Sequence, residues 1–166
     1  MEQTFQILNT IYKPIYEYLQ SILKVLKEAT YDYKWGFYNN HYVKKNSQWH
    51  VEYYPIPIVT IKNICDIGID INRIFVECKI SRETVVEFNW NNLLDYKFEV
   101  YGVKDYLHDF YNASLDLDSI LVRILESDED EIAIEIEMDF LEDKVKVLDI
   151  IRKLEAMGTY IFESHL

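Results

Sequence analysis

Residues 131–140, EIAIEIEMDF, alternate without a break. Ile132, Ile134, Ile136, Met138 and Phe140 fall on one parity, and Glu131, Ala133, Glu135, Glu137 and Asp139 on the other. A β-strand sends successive side chains to opposite faces, so a period of two yields one apolar face and one face with four carboxylates. Such a strand belongs in a sheet with one side packed on a core, the pattern of antiparallel sheets. The rest of the chain has to supply its neighbours and the layer that covers its apolar side.

Residues 3–29 supply part of that layer. Phe5, Leu8, Ile11, Ile15, Leu19, Ile22 and Leu26 recur at three- and four-residue steps, the stripe of an amphipathic helix. Pro14 lacks an amide donor, so a kink or two consecutive helices are expected there. Strand 31–37 follows, with Tyr31, Tyr33, Trp35 and Phe37 on one parity. This aromatic face is expected to be core under the N-terminal helix, because large exposed apolar patches are rare on monomers. Residues 39–48 read as a polar loop and 49–55 as the return strand. Pro55 and Pro57 fit an edge or a strand boundary better than a central strand.

Three short strands are expected at 57–62, 64–70 and 73–80. With Ile71 and Asn72 as the tight turn of the second hairpin, Asp70 faces Arg73, Ile69 faces Ile74 and Gly68 faces Phe75. Ile67 then faces Val76, Asp66 faces Glu77 and Cys65 faces Cys78. One face becomes uniformly apolar, and a slip of one residue would mix the two faces. Phe75 gains room to lie across the backbone at Gly68.

Residues 81–88 read as a short helix capped by Ser81, 96–103 as a strand, and 104–112 and 114–127 as helices. Leu117, Ile120, Leu121, Ile124 and Leu125 form the stripe of the second of these. Helix 141–157 turns Val147, Leu148, Ile151 and Leu154 inward, carries the i,i+4 pairs Glu142–Lys146 and Asp149–Lys153, and ends at Gly158. Residues 159–164 read as a final strand. The order is helix, then strands, then helices mixed with strands. That order implies a single α+β domain over 1–166, with a largely antiparallel twisted sheet and helices on one face. The strand–helix–strand unit at 131–163 could add one parallel pair.

Charge narrows the partners. The 166 residues carry a net charge of −12, divided as +2 over residues 1–62 and −14 over 63–166. Between Glu126 and Asp143 lie ten acids and no basic residue. Such a field repels nucleic acid and anionic membranes and attracts basic proteins or cations. No run of apolar residues is long enough to span a bilayer, and the N-terminus lacks the pattern of a secretory leader. Two cysteines, Cys65 and Cys78, form no disulfide framework, and reduced thiols in the cytoplasm are expected.

Glycines at 36, 68, 102 and 158 form no phosphate-binding loop, and His41, His50, His108 and His165 lack metal-ligand spacing. Cys78 inside an apolar strand face reads as an inert core residue. No cofactor is expected. The leading functional expectation is a non-enzymatic acidic binding or inhibitor-type module. Its partner-binding residues would be Glu131, Glu135, Glu137 and Asp139, and its partner a basic protein. Two alternatives stand beside it. One is a metal-dependent hydrolase using carboxylates such as Asp66, Glu77 and Asp105. The other is a homo-oligomer in which the positive N-terminal part of one chain meets the acidic part of another.

Overall fold

The computed structural model describes residues 2–43, 51–69, 73–104, 116–139 and 144–161. The chain begins with helix α1 (Glu2–Glu28), followed by strands β1 (Tyr33–Val43), β2 (Val51–Ile61), β3 (Cys65–Ile69) and β4 (Arg73–Ser81). Two single 3-10 turns lead to β5 (Lys97–Gly102). Helix α2 (Leu117–Glu126), strand β6 (Glu131–Asp139) and helix α3 (Lys144–Met157) complete the order. The six strands form one antiparallel sheet in the order β1-β2-β3-β4-β6-β5. The alternating strand of 131–139 is therefore internal, held between β4 and β5.

One face of the sheet and all three helices share a continuous core. Ile132, Ile134, Ile136 and Met138 of β6 are buried beside Ile74, Val76, Cys78 and Ile80 of β4. Ile15, Leu19, Ile22 and Leu26 of α1, Ile120 and Ile124 of α2, and Val147, Ile150, Ile151 and Leu154 of α3 join them. The molecule is a single α+β domain with helices packed on one face. The hairpin register is the expected one, with Asp66↔Glu77, Ile67↔Val76, Gly68↔Phe75 and Ile69↔Ile74. The expected turn at Ile71 and Asn72 lies outside the described residues, as does Asp70, the expected partner of Arg73.

Several expectations change. Of the two outcomes expected at Pro14, the pair of consecutive helices does not occur, since α1 runs through it as one helix. Strand β1 continues to Val43, so residues 39–43 are strand and not loop. Strand β2 takes in both prolines and merges two expected strands. The Lys62 amide donates to the Asp32 carbonyl, which fixes the phase of the β1–β2 ladder. The amides of residues 60, 58 and 56 then point at β1, and the positions of Pro55 and Pro57 point away from it. Strand β3 pairs with β2 only over Ile58–Ile61, so neither proline removes a ladder bond.

Trp35 is 45% exposed and is not core. It shares the core-side parity of Tyr33, which borders the core, but β1 is an edge strand with a neighbour on one flank only. Helix α1 packs against α3. The side chain of Phe37 lies outside the described residues. In α2, Leu125 is exposed. Residues 82–84 form a 3-10 turn in which Ser81 makes no side-chain cap to an amide. After α3 the chain returns to the sheet at Tyr160 as an antiparallel bridge to Lys79 of β4, where a parallel pair was expected, and residues 162–164 of the expected final strand lie outside the described residues. The expected helix 104–112, apart from Lys104, lies outside the described residues, as do Phe140 and Glu142.

Candidate functional site

The second face of the sheet carries the polar parity of every strand, and the register arranges it in transverse rows. Lys34 pairs with Thr60, Thr60 with Asp66, Asp66 with Glu77, Glu77 with Glu135, and Glu135 with Glu99. One row across all six strands thus reads Lys, Thr, Asp, Glu, Glu, Glu. Its acidic end is exposed at Glu99, half-buried at Glu135 and Glu77, and buried at Asp66, which is 1% exposed. Like charges directly opposed on adjacent strands oppose folding by some tenths of a kcal/mol per pair. The row holds Asp66↔Glu77, Glu77↔Glu135 and Glu135↔Glu99, three such pairs in succession.

The four acids of β6 differ from one another because their neighbours differ. Glu131 meets Lys79, whose Nζ lies 3.1 Å from its carboxylate. Glu137 is flanked by Phe75 and Lys97, and its carboxylate lies 3.7 Å from Lys97 Nζ. Asp139 stands opposite Arg73 in the register, with its side chain outside the described set. Only Glu135 has an acid on both flanks. The basic residues that no reading of 131–140 alone could supply come from β4 and β5.

Two further features bound the row. On one side Phe75 lies across Gly68 and beside Ile58, a small apolar cluster on the polar face. A Cβ on Gly68 would come within 1.9 Å of the Phe75 ring, so the ring occupies the space a side chain would fill. On the other side Lys79, buried to 8% side-chain exposure, lies over the Tyr160 ring and pairs with Glu131. Burial acts to raise the Glu131 carboxyl, but the hydrogen bonds from Tyr160 and Lys79 and the Lys79 charge hold it below the usual glutamate range. Burial, followed by the hydrogen bond to Glu131, pushes the Tyr160 phenol well up.

Of the four residues expected to meet a partner, Glu131, Glu135, Glu137 and Asp139, the fold keeps the first three on one face and gives Glu131 and Glu137 lysine neighbours, while the side chain of Asp139 lies outside the described residues. Sequence reasoning missed Glu99 and the roles of Lys79, Lys97 and Tyr160. The alternation of residues 97–102, with Phe98 and Val100 buried, already marked Glu99 as a polar-face residue. What the sequence lacked was the β5–β6 pairing. Asp105, offered for a hydrolase, lies outside the described residues, as do His50, His108 and His165. Among the described residues no group of three or more His, Cys, Asp or Glu is placed to hold a metal ion. No described helix is long and apolar enough to cross a membrane.

Comparison with known proteins fits this architecture. The family model described as "Protein of unknown function (DUF3201)" matches residues 6–152, and the chain belongs to that family. No curated protein matches the sequence. A solved structure, a conserved hypothetical protein from Pyrococcus furiosus, superposes with a TM-score of 0.62 at 22% identity, over 94% of this chain and 95% of that one. At that identity the likeness speaks for the fold alone.

Proposed function

We propose that this DUF3201 chain is a binding module of the cytoplasm that seats a basic segment of a partner protein along the acidic row of its sheet. The observation that carries this reading is the unbroken succession Asp66, Glu77, Glu135, Glu99 on four adjacent strands. A surface selected for stability alone would interleave Lys or Arg, as the rows on either side do. A row of like charges has its natural use in attracting opposite charge, which raises association rates and favours basic partners. The earlier set Glu131, Glu135, Glu137 and Asp139 shifts accordingly. Glu135 stays central, Glu137 contributes at its flank, and Glu77 and Glu99 join. Free, buried cysteines support a reducing compartment.

The test uses a lysine- and arginine-rich peptide as probe, titrated at low and at physiological salt. The Glu77→Gln/Glu99→Gln/Glu135→Gln variant should keep its fold and bind the peptide at least about tenfold more weakly at low salt. A control variant, Glu126→Gln/Asp130→Asn, removes exposed acids outside the row and should bind nearly as wild type. Equal weakening by both variants would mean that net charge alone drives the attraction, and the row would lose its role.

A further inference from the structure

The buried thiols Cys65 and Cys78 take no part in the acidic row, and the backbone places them together. One step beyond Asp66↔Glu77, the register brings Cys65 opposite Cys78. The phase of the pairing decides how close they stand. The Lys79 amide donates to the Tyr160 carbonyl at 2.8 Å and the Tyr160 amide to the Lys79 carbonyl at 3.0 Å, a reciprocal hydrogen-bonded pair on that edge of β4. Alternation then turns the amides of Glu77 and Phe75 the same way, towards β3, and those of Cys78 and Val76 towards β6. Cys65 and Cys78 therefore form a non-hydrogen-bonded pair, in which Cα atoms stand about 4.5 Å apart. That spacing falls within the range of about 4.4–6.8 Å that a disulfide spans.

The segment after α3 closes the end of this pair. Thr159, on the core side, is buried, and its hydroxyl lies 2.8 Å from the Ile64 carbonyl and 3.2 Å from the Leu154 carbonyl. It thus touches the residue before Cys65, while Tyr160 pairs with the residue after Cys78. Gly158 turns the chain into this position with φ +75°. Both thiols are fully buried. Burial above all, and for Cys65 the neighbouring Cys78 next, pushes them far above the usual thiol range, so neither reacts in the closed fold.

We infer that Cys65 and Cys78 are a redox site that closes into a cross-strand disulfide, by exchange with a low-molecular-weight disulfide, when the Thr159–Tyr160 clamp opens. On opening, one cysteine ionises and attacks a sulfur of the oxidant. The oxidant's S–S bond breaks, one thiolate leaves, and a mixed disulfide remains on the protein. The second cysteine thiolate then attacks the protein sulfur of that mixed disulfide and expels the second thiolate. The two cysteines lose two electrons and two protons, which leave as two molecules of thiol. The closed bond joins β3 to β4 across a short loop and constrains the unfolded chain.

The experiment treats the reduced full-length protein with oxidised glutathione and follows mass and Tm. Loss of two hydrogens in a monomer is expected, together with a Tm rise of at least about 5 °C that a reductant reverses. Cys65→Ser should end at a single glutathione adduct. Thr159→Ala should speed closure by roughly tenfold while circular dichroism stays that of wild type. If Thr159→Ala fails to fold, the denaturant dependence of closure in wild type takes its place, and a slope well below that of global unfolding is expected. Stable mixed adducts without ring closure, or disulfide-linked dimers alone, would overturn the pairing. A Thr159→Ala rate equal to wild type, or a slope equal to that of global unfolding, would overturn the clamp.

Discussion

The two faces of the sheet are built from the same strands and obey different rules. On the helix side, neighbours across β3, β4 and β6 are alike. Ile67, Val76, Ile136 and Phe98 stand side by side and all are buried. On the other side each row is distinct, from Gly68–Phe75–Glu137–Lys97 to Asp66–Glu77–Glu135–Glu99. Apolar burial is non-directional, so any mixture of Ile, Val and Phe serves the first face. Charge and shape are directional, so the second face depends on which residue stands opposite which. The first face therefore determines whether the chain folds, and the second determines what it presents.

The comparison can be broken from either side, and the largest effect should come from the core. Ile134→Ala removes a fully buried side chain between Cys78 and Val100 and should lower unfolding free energy by about 2–5 kcal/mol in chemical denaturation. A cost below 1 kcal/mol would mean that the two faces are less different than the burial implies.

Gly68→Ala tests the one place where the polar face is packed like a core. The added methyl displaces the Phe75 ring and should cost about 1–3 kcal/mol. The same substitution made beside Phe75→Ala should cost far less, since the obstructing ring is gone. Additive losses in that double-mutant cycle would contradict the packing described.

Glu131→Gln is expected to cost about 1 kcal/mol at neutral pH, reduced by solvent screening because the glutamate is 39% exposed while Lys79 is buried. Glu131 titrates below its ordinary value of 4.5 in the fold. Its contribution is therefore complete above the unfolded value and is lost as pH falls through the folded one. The gap between wild type and Glu131→Gln should stay constant above about pH 5 and narrow on acidification below 4.5. A gap that widened in acid would reverse the sign of the pairing.

The smallest effect belongs to Glu135→Gln. Relieving two opposed acid pairs, Glu77↔Glu135 and Glu135↔Glu99, should leave stability unchanged or raise it by some tenths of a kcal/mol. Clear destabilisation would show that Glu135 serves the fold and not the surface.

What could be read in advance divides along the same line. The alternation of 131–139, the β3–β4 register and most of the stripes of α1, α2 and α3 follow from local periodicity. Ile15, Leu19, Ile22, Leu26, Ile120, Ile124, Val147, Ile151 and Leu154 are buried as expected, whereas Leu125 is exposed, Leu148 is half-buried and the buried Ile150 was not foreseen. The register of the hairpin was legible because two short segments separated by a turn constrain each other. The acidic row was half legible. Asp66 and Glu77 came from that hairpin and Glu135 from its own strand, but their union with Glu99 depends on β6 entering between β4 and β5. Trp35 was misread because parity assigns a face and says nothing about whether the strand ends up at an edge. The lysines beside Glu131 and Glu137 were invisible for the reason Glu99 was, since they arrive from strands distant in sequence.

The insertion of β6 between β4 and β5 also has a consequence in time. Strands β4 and β5 leave the ribosome with no direct pairing to each other, and each waits for residues 131–139. Until then the apolar faces of Ile74, Val76 and Cys78 and of Phe98 and Val100 lack the strand that joins them. A nascent chain stopped before β6 carries open strand edges and is a substrate for aggregation or chaperones. The long sequence separation of the pairings of β6 places its docking among the slow steps of folding, so the sheet closes only after residues 131–139 have been made.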